Sequence, residues 1–443
     1  MKAARLVLAC AVILGAGSAR GQAPPPDPTL DERSDGRLER PNDHDGALLV
    51  PRLLLAPIRG LTLAFEWPMR SMAEFTETHH VMQWFADATT FSDGKRRILP
   101  NFDWSSHYSP TAGISYFDYK TLGPTTDLRL RFATGGPDVI ESSLYLRPTP
   151  ARNRLQADAQ LNFLRRDDMY YDGAGPPTIN RSRYQINAVW LNAGVHIQPM
   201  RMLTIDLEGE TALKRFGLGH ESNSDPTIDD VFCVRLFGRC VEGTVDPDLV
   251  PGFRQGTQYM RAATALRFDT SRQRFAPRTD FMAVLHVDYT HGFGDDTSSY
   301  SRLHGVAGVS VRVWRRSHVI LFRAQSWLVE PINDTPVPFS ELPLLGAIDV
   351  LRGFQFGSMR DQSLLAGTLE YRWPIWMYAE AALFADYGGV YAQNFGGFTT
   401  RPRYWDLGFG IRVLTRSQFL FRFGVAYGFN GGGWQLILSG DAD

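Results

Sequence analysis

Beyond its first fifteen residues this 443-residue chain has no apolar run near the roughly 18 to 20 residues that a membrane-spanning helix needs. A helical membrane protein is therefore excluded. Charge of one sign is missing too: 46 basic residues face 47 acidic ones, so bulk electrostatics call for no polyanion and no nucleic-acid partner is expected. Cysteine is scarce, at three in the whole chain. There is no Gly-x-Ser-x-Gly element and no ordered set of Ser, His and acid, so a hydrolase finds no support and the chain is not expected to be an enzyme.

What is present begins with a leader. Lys2 and Arg5 precede the apolar run Leu6–Gly15, which is too short to span a bilayer, and small residues follow from Ser18 to Ala23. Residues 1–23 read as a secretory signal peptide, with cleavage after Gly21 or Ala23. The apolar run continues past Cys10, so that cysteine reads as part of the signal rather than as a lipidation site. An exported chain without a spanning helix can still cross a membrane as a closed β-barrel, in which the strands satisfy one another's backbone groups. Aromatic residues at 12% and 41 glycines suit many strands, tight turns and interfacial aromatic rings.

Strict alternation supports the barrel. Leu155, Ala157, Ala159, Leu161 and Phe163 interleave with Gln156, Asp158, Gln160 and Asn162. Leu128, Leu130 and Phe132 oppose Asp127, Arg129 and Arg131; Leu203, Ile205 and Leu207 oppose Thr204, Asp206 and Glu208; Met260, Leu266 and Phe268 oppose Arg261, Arg267 and Asp269. Near the end, Phe419, Phe421, Phe423, Val425 and Tyr427 form a further row. A soluble sandwich would alternate as well, but strands of roughly ten residues or more exceed its usual five or six. The pattern predicts about sixteen strands between 98 and 440, an even number. Connections sort by parity: Gln198-Pro199, Arg315–Ser317 and Thr415-Arg416 read as short turns, and 166–182, 215–256, 331–360 and 392–402 as long loops. Short turns belong on the periplasmic rim, which would place both termini in the periplasm.

The expected organisation is thus all-β: a signal peptide at 1–23, a flexible Pro-rich linker at 24–46, a periplasmic or interfacial lead-in at 47–97 with Trp67 and Trp84, and an antiparallel transmembrane barrel at 98–443. Cys233 and Cys240, both in one long loop, are expected to pair, for about 2 to 3 kcal/mol in the chain-entropy picture. His220 and His79-His80 lack further ligands at a convincing spacing, so neither a metal nor any other cofactor is expected.

The most specific signal precedes the twelfth strand. Leu345-Gly346 is followed by Leu351-Arg352-Gly353-Phe354, then Asp361, Glu370-Tyr371-Arg372 and Phe384-Ala385-Asp386-Tyr387-Gly388. In that order the set resembles the outer-membrane protein assembly superfamily, the BamA/TamA family and bacterial surface antigens, over most of 98–430. Tyr170-Tyr171-Asp172-Gly173-Ala174-Gly175 and Pro251-Gly252-Phe253 are similar to further loop signatures of that family. The resemblance implies a barrel that inserts or translocates other proteins, with Arg352, Gly353 and Phe354 on a loop folded inward. Alternation turns Glu370 and Asp386 toward the lumen, where the planar guanidinium of Arg352 could bridge both. Gly353 would permit a sharp backbone, and Phe354 would pack on the inner wall.

Two departures bear on function. Only about 75 residues separate signal from barrel, too few for the family's array of polypeptide-transport-associated domains at roughly 75 residues each. The chain also finishes Gly-Asp-Ala-Asp rather than on an aromatic residue. The expected partners are outer-membrane lipid and lipopolysaccharide, unfolded outer-membrane protein clients, and a periplasmic or lipoprotein partner. The alternative is a passive outer-membrane channel or surface protein derived from the same family.

Overall fold

A computed structural model describes residues 88–440, apart from 92–93, 104–107, 120–122, 124–125, 149–153, 172, 176–181, 220–234, 237–238, 241–249, 271–279, 314–317, 347–349, 377–378 and 415–418. The signal, the linker, nearly all of the lead-in, the Cys233–Cys240 pairing and the turns at 315–317 and 415–416 therefore lie outside the described residues.

Among the described residues sixteen strands form the wall: β1 (Arg96–Asp103), β2 (Thr111–Tyr119), β3 (Thr126–Gly136), β4 (Val139–Pro148), β5 (Leu155–Tyr171), β6 (Ser182–Met200), β7 (Leu203–Leu218) and β8 (Thr257–Asp269) make its first half. The second half is β9 (Asp280–Gly292), β10 (Ser299–Arg312), β11 (Val319–Pro331), β12 (Ser363–Trp376), β13 (Ala379–Tyr391), β14 (Tyr404–Leu414), β15 (Phe419–Gly428) and β16 (Gly433–Gly440). Each pairs antiparallel with the next in chain order from β1 to β16, as a transmembrane barrel requires. A two-residue strand, Thr90–Phe91, adds two pairs on the outer edge of β1, opposite Arg97 and Arg96.

Period-two alternation explains which side is which. Leu130, Phe132, Leu161, Phe163, Leu207, Met260 and Leu266 are all exposed on one face. A water-soluble monomer rarely leaves so continuous an apolar surface, whereas lipid makes it the solvated face. Their neighbours turn inward and pair with one another: Arg147 with Asp127, Arg166 with Glu141 and Asp168, and Arg302 with Asp288. At one rim, Trp405 stacks on Phe429 with ring centroids 3.7 Å apart, beside Tyr427 and the outward Trp434. Such a cluster suits a membrane–water interface.

One expected turn is displaced. Gln198 and Pro199 lie within β6, where the register slips between Ile197 and Met200, and the chain reverses at Arg201–Met202. The irregularity explains it, because a proline is tolerated where the ladder does not need its N–H.

Candidate functional site

The β11–β12 connection, residues 332–362, packs against inward-facing side chains of both halves of the wall. It starts from a short 3-10 turn, Phe339–Glu341, and carries its own two-residue pairing between Leu344–Leu345 and Met359–Arg360. Its centre holds Arg352, only 2% exposed.

Arg352 is gripped from several directions. Its Nε donates to Asp386 Oδ2 at 2.8 Å, Nη2 to Asp386 Oδ1 at 2.9 Å, and Nη1 to Glu370 Oε2 at 3.0 Å. Its backbone N–H also donates to Asp386 Oδ2, at 3.1 Å. The two-pronged contact with Asp386 is the geometry that only a guanidinium supplies. The guanidinium carbon lies 3.4 Å from the centroid of the Phe384 ring, adding a cation–π contact. Burial would disfavour the charge of Arg352, but Asp386 and Glu370 outweigh it and raise its pKa. Glu370 has a second partner in Arg372 Nε at 2.5 Å.

Gly353 is needed for a different reason from the one its sequence suggests. The residue of this turn in the left-handed region is Leu351, at φ 54°. Gly353 is required for close approach: a Cβ there would lie 2.4 Å from the Gly428 nitrogen and 2.7 Å from Asp406 Cβ. Its N–H donates to Asp406 Oδ2 at 2.8 Å. Phe354 is buried among Leu345, Val350, Leu351, Met359, Leu364 and Tyr404, and meets the Tyr404 ring edge-on.

A second anchor lies on the opposite side of the loop. Buried Glu341 accepts from Lys214 Nζ at 2.5 Å and from Arg261 Nη2 at 2.6 Å, with Arg302 Nη1 3.9 Å away. Burial opposes its ionisation, yet the three cations outweigh burial and hold the carboxyl well below the usual carboxylate range. Beside it, Phe339 is enclosed by Tyr171, Tyr184, Phe216 and Phe253. Arg360 donates to the carbonyls of Tyr170 and Phe339, and its own carbonyl accepts from Gly175. The segments containing Tyr170-Tyr171, Gly175 and Pro251-Gly252-Phe253 thus converge on this loop.

Sequence reasoning placed Arg352 opposite Glu370 and Asp386, and the structure brings those three together. It missed Asp406, Glu341, Phe339 and Arg360. Asp406 had a readable signal, because it alternates with Trp405 and Leu407 and lies directly opposite Asp386 in register. Glu341 had none, being a lone acid in an aperiodic loop.

Residues 254–433 match the Omp85 superfamily domain. No curated protein matches the chain. Among solved structures, BamA from Haemophilus ducreyi lacking POTRA domains 1–3 aligns with a TM-score of 0.56 at 11% identity, over 77% of this chain and 68% of that one. CdiB from Acinetobacter baumannii aligns at 0.46 and 9% identity, over 77% of this chain and 58% of its own. At such identity the likeness to BamA speaks for the fold alone.

Proposed function

We propose that this chain is an outer-membrane barrel of the Omp85 superfamily, that it is not an enzyme, and that it assists the insertion or translocation of other proteins. In this reading the Arg352-Gly353-Phe354 loop closes the lumen to free diffusion and β1 and β16 flank a seam that parts for a client strand. Both termini lie in the periplasm. The buried contact of Arg352 with Asp386 and Glu370 carries the reading, because it fastens the loop at a place where losing one partner would strand a desolvated charge. Support for a yielding seam comes from β1, whose outer edge, among the described residues, carries only the two pairs with Thr90–Phe91. Strand edges of this kind are natural templates for an incoming strand. Outer-membrane lipid and lipopolysaccharide surround the wall, unfolded outer-membrane proteins are the clients, and a periplasmic or lipoprotein partner delivers them.

Depleting the protein and profiling the outer-membrane proteome tests this. Selective loss of one or several barrel proteins is the expected outcome. An unchanged proteome with altered small-solute permeability would overturn the proposal in favour of a passive channel. Cysteine pairs placed across β1 and β16 test the seam separately, since a cross-linked barrel that still rescued depletion would rule out lateral opening.

A further inference from the structure

Away from the loop, the short turn at Arg201–Met202 carries a second concentration of lumenal charge. Register assembles it: His196 of β6 lies opposite Asp206 of β7, while Gly194 of β6 lies between Asp158 of β5 and Glu208 of β7. One ligand atom each from His196, Asp206 and Glu208 falls within 4.8 Å of the others. His196 Nδ1 is 2.7 Å from Asp206 Oδ1, and Nε2 is 3.0 Å from Asp158 Oδ2. Asp158 is itself held by the Tyr145 hydroxyl at 3.3 Å.

From this arrangement we propose a divalent-cation site on the inner wall, with His196 Nδ1, Asp206 and Glu208 as ligands and Asp158 as the carboxylate that orients the imidazole. Three features carry it. Donors bound at about 2.0–2.2 Å sit roughly 3–3.5 Å apart at neighbouring vertices of one ion, so His196 Nδ1 and Asp206, hydrogen-bonded at 2.7 Å, need to part by less than about 1 Å to admit it. Glu208, the exposed member, has a carboxylate oxygen within 4.8 Å of the other two donors, and its side chain has to rotate toward them to complete the set. Next, a ligating histidine commonly gives its other ring N–H to a carboxylate, which fixes the ring and is the part Asp158 plays. Finally, the wall is cleared of side-chain bulk at the centre of the set: a Cβ on Gly194 would meet Asp158 Oδ1 at 3.2 Å, His196 Nε2 at 3.4 Å and Glu208 Cγ at 3.6 Å.

Charge favours a cation as well. Three carboxylates surround one imidazole, and Arg267 Nη2 approaches Asp206 only to 3.8 Å. One nitrogen and two carboxylates suit zinc or manganese better than a metal that demands thiolates. Sequence spacing conceals the site, since its ligands come from two strands and its orienting partner from a third.

The test uses the full barrel in detergent, stripped with a chelator and titrated calorimetrically with zinc or manganese alone. One ion per chain is expected. Glu208→Gln, chosen because its exposed side chain supports no packing, should weaken binding by about tenfold or more, and Asp158→Asn by roughly 10- to 100-fold. His196→Gln should abolish it, while all variants keep the heat-resistant electrophoretic mobility of a folded barrel. His286→Gln, at another lumenal histidine, should bind as the parent does. Absence of saturable binding, or binding indifferent to both Glu208→Gln and His196→Gln, would overturn the proposal.

Discussion

Replacing Arg352 by alanine removes three charge-assisted hydrogen bonds and the contact with Phe384 from a place that water does not reach. Breaking one side of a buried ion pair costs about 3–5 kcal/mol, chiefly because the partner is left charged and unpaired. Here the penalty is unequal. Glu370 keeps Arg372, whereas Asp386 loses both of its guanidinium hydrogen bonds, retains the backbone N–H of residue 352, and lies opposite Asp406. The expected loss is therefore near the lower bound, about 3 kcal/mol, and concentrated at Asp386. Lysine can satisfy one carboxylate but cannot fork, so Arg352→Lys should forfeit roughly 1.5–3 kcal/mol. Limited proteolysis of the loop reads this directly, because cleavage follows the population of the released loop when reclosure is fast. Rates should rise from parent to lysine to alanine, by about two orders of magnitude for alanine unless the loop first becomes mostly free. Adding Asp386→Asn to Arg352→Ala should restore part of the loss by removing the stranded charge. If the double variant were as protease-sensitive as the single one, or if Arg352→Ala left the loop resistant, the ionic account of the lock would be wrong.

Gly353→Ala should release the loop about as strongly as Arg352→Ala despite keeping every charge, because the added methyl would collide with the Gly428 backbone; protease sensitivity checks it. Phe339→Ala should cost about 3–5 kcal/mol in a denaturant titration, the usual range for emptying a fully buried aromatic site. Glu341→Gln should loosen the other end of the loop with a particular pH dependence. The folded carboxyl ionises well below its unfolded value near 4.3, so its contribution is fully present above that pH and declines as pH falls below it. The stability gap between parent and Glu341→Gln should hold constant from pH 8 to about 5 and narrow in stronger acid. A gap that grew on acidification would contradict the pairing with Lys214, Arg261 and Arg302.

The wall was legible because a strand with one face in lipid and the other in a polar lumen must alternate, and Leu155–Phe163 or Met260–Asp269 can hardly be read otherwise. The same parity gave the inward direction of Glu370 and Asp386, and applied to Tyr404–Leu407 it would have given Asp406. Gln198-Pro199 misled because turn chemistry and an irregular strand end use the same residues. Gly353 misled because glycine serves both positive φ and close approach, and only the position of Gly428 tells which. Glu341 and Arg360 stayed hidden, since their partners Lys214, Arg261 and Tyr170 are from 80 to 190 residues away and no local period links them.

The two ends of the β11–β12 loop hold different parts of the chain. Glu341 and Arg360 reach back to strands β5, β7 and β8, which are synthesised earlier, while Arg352 and Gly353 reach forward to β12, β13 and β14. The loop is therefore an internal tie rod between an early wall and a late one. It holds their spacing without any help from the strand ladder, so the curvature of the sheet near its last strands would persist even while neighbouring strands parted. It also sets an order of assembly: the rear attachments can form once the first eleven strands and the loop exist, and the forward ones only when β14 arrives, which makes locking of the loop a late event in the folding of the barrel itself.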